Sequence, residues 1–252
     1  NSSVFILRIK KDLGLNIKVI DGEKEAYYGG VAALNLLHDN SFVTIDIGGG
    51  STEFCFVKNG KIEKSISLNI GTVRIKELYF NKDNIEGARK YILDELKKIS
   101  DLGIEIPKRV VGIGGSIRAL SKMVMTNNNY PLDILHGYTY CVKEEISLFR
   151  KIVEARNNDD LKSLGVKKDR FDTIKEGAFI FKTILDELSI QEVVTSGVGV
   201  REGAYLTDLL RNSNHKFPNN FNVSVRSLLD RFQIDEKQSA YLGNNAKKIF
   251  DI

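Results

Sequence analysis

The chain has 252 residues, of which 42% are hydrophobic and 28% charged, and it carries a formal net charge of +4. This composition is typical of a globular protein that can bury a substantial core in one or two domains. No apolar run approaches the roughly 20 residues that span a membrane, and the basic residues are scattered rather than gathered in a stripe, so we expect neither a membrane protein nor a partner of nucleic acid polymers.

The spacing of apolar residues predicts a mixed series of helices and strands. Helices are predicted at about 2–13, 23–37, 83–99, 117–125, 143–155, 174–188 and 201–210, with two more between 224 and 252. Strands are predicted at 16–20, 42–45, 54–57, 62–68, 110–113, 138–142 and 192–195. This order indicates an α/β protein in which three strands end in glycine-rich loops. Ligands of open α/β sheets collect at such strand ends.

The most informative loop joins the second and third predicted strands and reads Asp46-Ile47-Gly48-Gly49-Gly50-Ser51-Thr52-Glu53. Consecutive glycines let backbone N–H groups approach an anion without interference from Cβ atoms, and the following serine and threonine add hydroxyl donors. The lysine and the helix of a Walker-type P-loop are both missing. We therefore predict that Gly48, Gly49, Gly50, Ser51 and Thr52 bind phosphate and that Asp46 and Glu53 hold Mg²⁺ beside it. The alternative is a tight hairpin capped by polar residues.

Two other glycine loops are further candidates. The run Gly112-Ile113-Gly114-Gly115-Ser116 leads from a strand into a helix N-terminus, where free N–H groups and the helix dipole attract anions. Gly114, Gly115 and Ser116 are therefore candidate phosphate ligands, although close packing of strand and helix would also need glycine there. The third loop, at 196–199, follows the strand predicted at 192–195, and Arg201 just after it could reach a phosphate or pair with a carboxylate.

Glu25 lies in the first turn of the helix predicted at 23–37. Hydrolysis of a phosphoanhydride needs a group that orients and deprotonates water, and a carboxylate in this position can do so. On position alone, a solvated glutamate at a helix start is the more ordinary interpretation, because acidic residues favour first turns.

The cysteines and histidines indicate no site of their own. Cys55 and Cys141 are too few for a zinc site or a disulfide framework, and we interpret them as buried thiols. A histidine-ligated metal is disfavoured because the histidines are few and scattered; they are His38, His136 and His215. We interpret His136 as a loop or packing residue. The polar start of the chain does not resemble a signal peptide, so we expect a cytoplasmic protein.

Taken together, these stretches resemble the exopolyphosphatase and guanosine pentaphosphate phosphohydrolase family, a branch of the actin-like ATPase-fold superfamily. The octapeptide 46–53 matches the family's D-I-G-G-G-S-T-E in full, residues 19–26 are similar to its V-I-S-G-x-E-E-A, and shorter matches follow in family order as far as 203. The resemblance implies an actin-like, ribonuclease H-like lobe with a mixed sheet flanked by helices. It also implies that Glu25 is the catalytic base and that Asp46 and Glu53 act in Mg²⁺ binding and catalysis.

The chain departs from the family pattern in two ways. Asp21, Lys24 and Tyr27 stand where serine, glutamate and arginine are usual, so the charge around the base is rearranged. No stretch matches the family's first phosphate loop, which is similar to D-I-G-S-N-S. The resemblance therefore predicts that 1–28 is the tail of a first lobe whose remainder is absent, that 29–211 is the second lobe, and that 212–252 is a linker followed by the start of a C-terminal helical domain.

The leading hypothesis is a Mg²⁺-dependent phosphohydrolase that removes the terminal phosphate of inorganic polyphosphate or of guanosine pentaphosphate, with a tendency to form homodimers implied by the resemblance. A second hypothesis is an actin-like nucleotide-binding module with a structural or regulatory role. A third is that the chain is a fragment that folds but is inactive without the opposite wall of its cleft.

Overall fold

A computed structural model describes residues 2–37, 39–218 and 221–251. Its helices are α1 Ser2–Leu13, α2 Gly22–Leu36, α3 Thr72–Leu78, α4 Ile85–Ser100, α5 Gly114–Asn127, α6 Val142–Glu154, α7 Asn158–Ser163, α8 Ile174–Glu187, α9 Val200–Leu209, α10 Val223–Arg231 and α11 Glu236–Phe250. Its strands are β1 Phe42–Ile47, β2 Thr52–Lys58, β3 Lys61–Leu68, β4 Arg109–Ile113, β5 Thr139–Cys141 and β6 Glu192–Thr195.

The strands described form a six-stranded sheet in the order β3-β2-β1-β4-β6-β5. The first three strands make an antiparallel meander, β1, β4 and β6 run parallel, and β5 closes one edge antiparallel to β6. Because β1, β4 and β6 are parallel, their carboxyl ends meet at one edge of the sheet. The three glycine-rich loops therefore lie side by side, and the mixed sheet flanked by helices is confirmed.

Successive side chains along each strand point to opposite faces of the sheet, so the core is divided into two clusters, one on each face. Val43, Ile45 and Ile47 of β1 belong to the larger cluster, which is completed by buried residues of α4, α5, α6 and α8. Phe42 of β1 and Cys55 of β2 belong to a smaller cluster on the other face, beneath α2. The face under α2 is the one that carries the candidate site.

Most predicted elements occur within a few residues of their predicted bounds, but the strand predicted at 16–20 is wrong. That segment is irregular, and Leu15, Ile17 and Val19 are all exposed, because no strand among the described residues pairs with it. Two short helices, α3 and α7, were not predicted. The edge strand near 138–142 is confirmed as β5, and Asp235 caps α11 by accepting hydrogen bonds from Lys237 N and Gln238 N.

The end of the chain is attached through its linker. The Asn35 side chain on α2 donates from Nδ2 to His215 O and accepts at Oδ1 from Phe217 N, both at 2.8 Å. Neither α10 nor α11 buries a residue. The predicted linker residues Asn219 and Asn220, like His38, lie outside the described residues. The division at 28 and 212 stays a prediction; α2 runs through residue 28 without a break.

No helix in the described part of the chain is long and apolar enough to cross a membrane.

Candidate active site

A row of side chains crosses four strands at the edge where the glycine loops lie. The strand register places Ile113 of β4 beside Asp46 of β1, Asp46 beside Glu53 of β2, and Glu53 beside Ser67 of β3. Asp46 follows Phe42 by four residues and Glu53 precedes Cys55 by two, so both carboxylates share the face that packs under α2. The predicted pair Asp46 and Glu53 is therefore brought together across one β-ladder.

Helix α2 carries Glu25 over this row. Its N-cap, Asp21, accepts a hydrogen bond from Lys24 N at 2.8 Å, which fixes where the helix begins. The helix starts in direct contact with the sheet, since a Cβ atom on Gly22 would lie 2.4 Å from Ser67 Cβ. Glycine is thus required at position 22 so that α2 can approach β3 closely. This contact fixes the distance between the first turn of α2 and the two carboxylates.

The charges of the three acids interact. The pKa of Asp46 is raised to about 6, chiefly by burial and then by the negative charge of Glu25, while the guanidinium of Arg118 acts in the opposite direction. Burial also raises the pKa of Glu53, hydrogen bonds from Ser51 and Ser67 oppose the rise, and the charges of Glu25 and Asp46 add to it. Like charges held together in this way favour a bound cation or a proton.

The chemistry of this donor set suits Mg²⁺ that is only partly held by protein. No group of three or more His, Cys, Asp or Glu side chains within the described ranges encloses a metal position. Mg²⁺ is usually bound through one or two carboxylates together with waters and substrate phosphates, rather than by an all-protein cage. The two adjacent carboxylates, Asp46 and Glu53, match that smaller requirement. Their role as metal ligands stays a prediction.

The loop between β1 and β2 is a closed turn, in which Gly48 N donates to Ser51 O at 2.9 Å. Gly49 and Gly50 are exposed at its tip. Thr52 is fully buried, and its hydroxyl donates to Ile70 O at 2.5 Å. A phosphate contact by this hydroxyl would require the bond to break, so the backbone of the loop is the better candidate for phosphate binding.

The loop after β4 lies against the first. Gly114 has φ +79°, and a Cβ atom on it would lie 1.9 Å from Asp46 Oδ1. The N-terminus of α5 has no side-chain cap, so its first N–H groups are open to a ligand. Gly115 and Ser116 are partly exposed in this turn. The predicted phosphate site at 114–116 therefore adjoins the carboxylate Asp46.

Arg201 is not brought into this cluster by any contact. It is exposed in the first turn of α9, and no hydrogen bond or ion pair links it to a described residue. The same turn is capped by Glu202, whose Oε2 accepts from Gly199 N at 2.8 Å. The phosphate role of Arg201 stays a prediction.

Two arginines that sequence reasoning missed stand beside the second loop. Arg118 donates from Nε to Gly114 O at 3.0 Å and from Nη1 to Gly197 O at 3.3 Å, which ties the loops after β4 and β6 together. Arg170 lies over Gly115, where a Cβ atom would be 2.9 Å from Nη1. Arg118 follows Gly114 by one helical turn, and this spacing could have indicated its contact with the loop. Nothing in the sequence around Arg170 indicates that it lies near Gly115.

Both arginines line a cavity of about 520 Å³ that also receives Lys122 and Lys167. Its positive charge is partly offset by Asp133, which pairs with Lys122, and by Asp169, whose Oδ2 is 3.6 Å from Arg170 Nε. A basic cavity that opens beside a phosphate loop suits a polyanion.

His136 and Cys55 have structural surroundings; Cys55 is buried, whereas Cys141 is only partly buried. His136 Nδ1 accepts from Gly197 N at 3.1 Å, so Nε2 carries the hydrogen that bonds Leu36 O at 2.9 Å. These bonds agree with the interpretation of His136 as a packing residue. Burial raises the pKa of the Cys55 thiol to about 12, which keeps it protonated.

The comparisons with known proteins agree with one another. The model of the Ppx/GppA phosphatase family matches residues 1–212. A bifunctional 3-dehydroquinate synthase/phosphatase of Fusobacterium nucleatum is 30% identical over 210 residues, which are 78% of this chain and 31% of that protein. A guanosine-5'-triphosphate,3'-diphosphate pyrophosphatase of Pseudoalteromonas translucida is 28% identical over 252 residues, 95% of this chain and 48% of that protein. The chain spans about half or less of these relatives' lengths.

A solved structure agrees with the sequence matches. The crystal structure of the Aquifex aeolicus member of the Ppx/GppA family is 29% identical, with a TM-score of 0.69 over 84% of this chain and 71% of that chain. The fold is therefore the actin-like one that the sequence predicted.

Proposed function

Because the chain belongs to the Ppx/GppA phosphatase family, we propose that it carries the catalytic lobe of a phosphohydrolase that cleaves a terminal phosphoanhydride. The two candidate substrates are inorganic polyphosphate and guanosine pentaphosphate. The observation that carries the proposal is the placement of Asp46 and Glu53 side by side, under Glu25 and next to two glycine-rich loops.

Phosphoanhydride cleavage depends on positioning and on neutralising negative charge. In the proposed reaction the N–H groups of Gly49 and Gly50 bind the terminal phosphate, and Glu25 orients a water and accepts its proton. Glu25 is partly exposed, so water can reach its carboxylate. Asp46 and Glu53 would hold Mg²⁺, which when bound supplies positive charge at the phosphate oxygens.

The basic cavity lined by Arg118 and Arg170 supports a substrate that continues beyond one phosphate. It begins at Gly115, next to the proposed position of the terminal phosphate, and it is large enough for further phosphates or a nucleoside. This cavity is compatible with both candidate substrates and does not rank them.

The family resemblance completes the proposal. A first lobe would form the opposite wall of the cleft, and this chain alone would then fold without full activity. Formation of homodimers is a further prediction of the resemblance, and a cytoplasmic location is a further prediction from the sequence. The alternative function, an actin-like nucleotide-binding module, differs from a hydrolase in one measurable respect, because it would bind nucleotide without releasing phosphate from polyphosphate.

The proposal is tested by Glu25→Gln, with Glu23→Gln as the matched control. Both glutamates lie in the first turn of α2, and Glu23 is exposed. Phosphate release by the full-length protein is measured from polyphosphate, guanosine pentaphosphate and ATP, with and without Mg²⁺. Loss of a general base costs roughly 10²–10⁴ in rate, so we expect kcat to fall by that factor for Glu25→Gln and to stay unchanged for Glu23→Gln. A Glu25→Gln protein that retained most activity would refute the base assignment.

A further inference from the structure

The loop at 48–51 packs on the short helix α3, and its carbonyl groups point toward that helix rather than toward the proposed phosphate. Thr72 N donates to Gly48 O at 3.0 Å, and Val73 N and Arg74 N donate to Gly49 O at 2.9 and 3.2 Å. A peptide group is planar and trans, so the N–H that follows a carbonyl points in the opposite direction. The N–H groups of Gly49 and Gly50 therefore point away from α3.

The contact between loop and helix is too close to rearrange. A Cβ atom on Gly71, the N-cap of α3, would lie 2.3 Å from Gly49 O. The segment before the helix is also fixed, because Asn69 N donates to Glu95 Oε2 at 3.0 Å and Tyr91 Oη donates to Asn69 O at 2.9 Å. Backbone N–H groups of α3 thus hold the first two loop carbonyls, through bonds that no side-chain substitution in the loop would remove.

The third carbonyl has different support. Gly50 O is held by a side chain, since Arg74 Nε donates to it at 2.9 Å. Nothing lies within 4 Å of a Cβ position on Gly50, and glycine adopts both signs of φ readily. Arg74 Nε is the donor found for Gly50 O among the described residues, so we expect its loss to let the peptide between Gly50 and Ser51 rotate more readily and turn its carbonyl oxygen toward the anion.

We propose that Arg74 is a positioning residue that locks the Gly50-Ser51 peptide, so that Gly49, Gly50 and Ser51 present three successive N–H groups on one side of the loop. None of these N–H groups donates to another described residue. Successive N–H groups of this kind form an anion-binding nest. A flipped Gly50 carbonyl would remove one donor from the nest and place a partial negative charge against the phosphate.

This inference rests on the proposed function, because it concerns how the same loop binds phosphate. It adds a residue outside the loop whose guanidinium acts through the loop backbone. The predicted signature is weaker phosphate binding with the chemical groups Glu25, Asp46 and Glu53 left in place.

The test compares Arg74→Ala and Arg74→Lys with Arg89→Ala, a control arginine that is exposed on α4. Binding of inorganic tripolyphosphate is measured by calorimetry in the Glu25→Gln background, which prevents turnover. We expect Arg74→Ala to weaken binding roughly tenfold, about 1.4 kcal/mol, and Arg74→Lys to weaken it less, since an ammonium can donate one hydrogen bond to Gly50 O. Added guanidinium ion should restore binding to Arg74→Ala, whereas sodium at equal ionic strength should not.

Kinetics give the second measurement. With the native Glu25, Arg74→Ala should raise KM by the same factor while kcat changes less than about threefold, because the lost binding is common to ground and transition states. Binding by Arg74→Ala equal to that of the unsubstituted protein would overturn the inference, as would a loss that guanidinium does not restore. If the unsubstituted protein fails to bind tripolyphosphate, the proposed function fails and this inference fails with it.

Discussion

Asp46→Asn is expected to make the protein more stable and less active. Burial and the charge of Glu25 raise the pKa of Asp46 from 3.8 to about 6. At 1.36 kcal/mol per pH unit, that difference corresponds to a cost of roughly 3 kcal/mol for keeping this carboxylate charged in the folded protein at pH 7. Asparagine has no charge to keep, so up to roughly this amount of stability should be recovered. Gains of this kind are common where charged groups are held for function.

The pH dependence gives the sign of the effect. A carboxyl group whose pKa is raised by folding is protonated more readily in the folded state, so its unfavourable contribution disappears as the pH falls from about 6 to below 3.8. Urea unfolding at pH 7.5 should therefore show Asp46→Asn to be more stable than the unsubstituted protein. The difference should shrink toward zero by pH 4. Mg²⁺ should stabilise only the protein that keeps Asp46.

The control is Asp12→Asn, on the exposed surface of α1, which should change stability by less than about 0.5 kcal/mol at either pH. A stability difference for Asp46→Asn that is absent at pH 7.5, or that has the same size at pH 4, would refute the reasoning from charge. In a separate check, Glu25→Gln should lower the pKa of Asp46, measured by its carboxyl chemical shift, because the charge of Glu25 contributes to the rise.

Two other substitutions test the geometry. Gly114→Ala should cost more stability than Gly103→Ala in thermal unfolding. Both glycines have positive φ, +79° and +64°, but the new Cβ would meet Asp46 at Gly114 and would have nothing within 4 Å at Gly103. Equal losses of stability would show that the contact with Asp46 does not matter. Asn35→Ala should lower the free energy of unfolding by about 1–3 kcal/mol, since it leaves the linker groups His215 O and Phe217 N without their partner. It should also speed proteolysis in the linker. Unchanged stability and cleavage would show that the linker is held elsewhere.

The sequence predicted the fold well where patterns are local. The strands around 42–47 and 192–195 have apolar, β-branched runs, and the helix at 85–100 has a clear amphipathic spacing, so each was found. The false strand at 16–20 has the right alternation, but a strand exists only if a partner pairs with it. Helix α3 was missed because its N-cap, Gly71, makes no side-chain capping bond, and seven residues give little periodicity.

The site was predicted in the same uneven way. Asp46, Glu53 and the glycines between them are adjacent in sequence, so their proximity follows from one hairpin. Glu25 could be connected with them only through the family resemblance, because its approach depends on the packing of α2 against Ser67. Arg74 and Arg170 reach the loops from 24 and 55 residues beyond Gly50 and Gly115. Such contacts are set by tertiary packing, and no local pattern encodes them.

The position of the carboxylate pair within the sheet has a consequence for how the site opens. Asp46 and Glu53 lie on β1 and β2, and each of these strands has a neighbour on both sides. Their backbone amides should therefore exchange hydrogen with solvent only through large openings of the domain, since interior strands belong to its most protected unit. Charge repulsion among Glu25, Asp46 and Glu53 favours their separation, and the hydrogen-bonded pairing of β1 and β2 inside the sheet opposes it. The two carboxylates should consequently keep their spacing through the thermal fluctuations that open the edge strands, and be lost together when the domain unfolds.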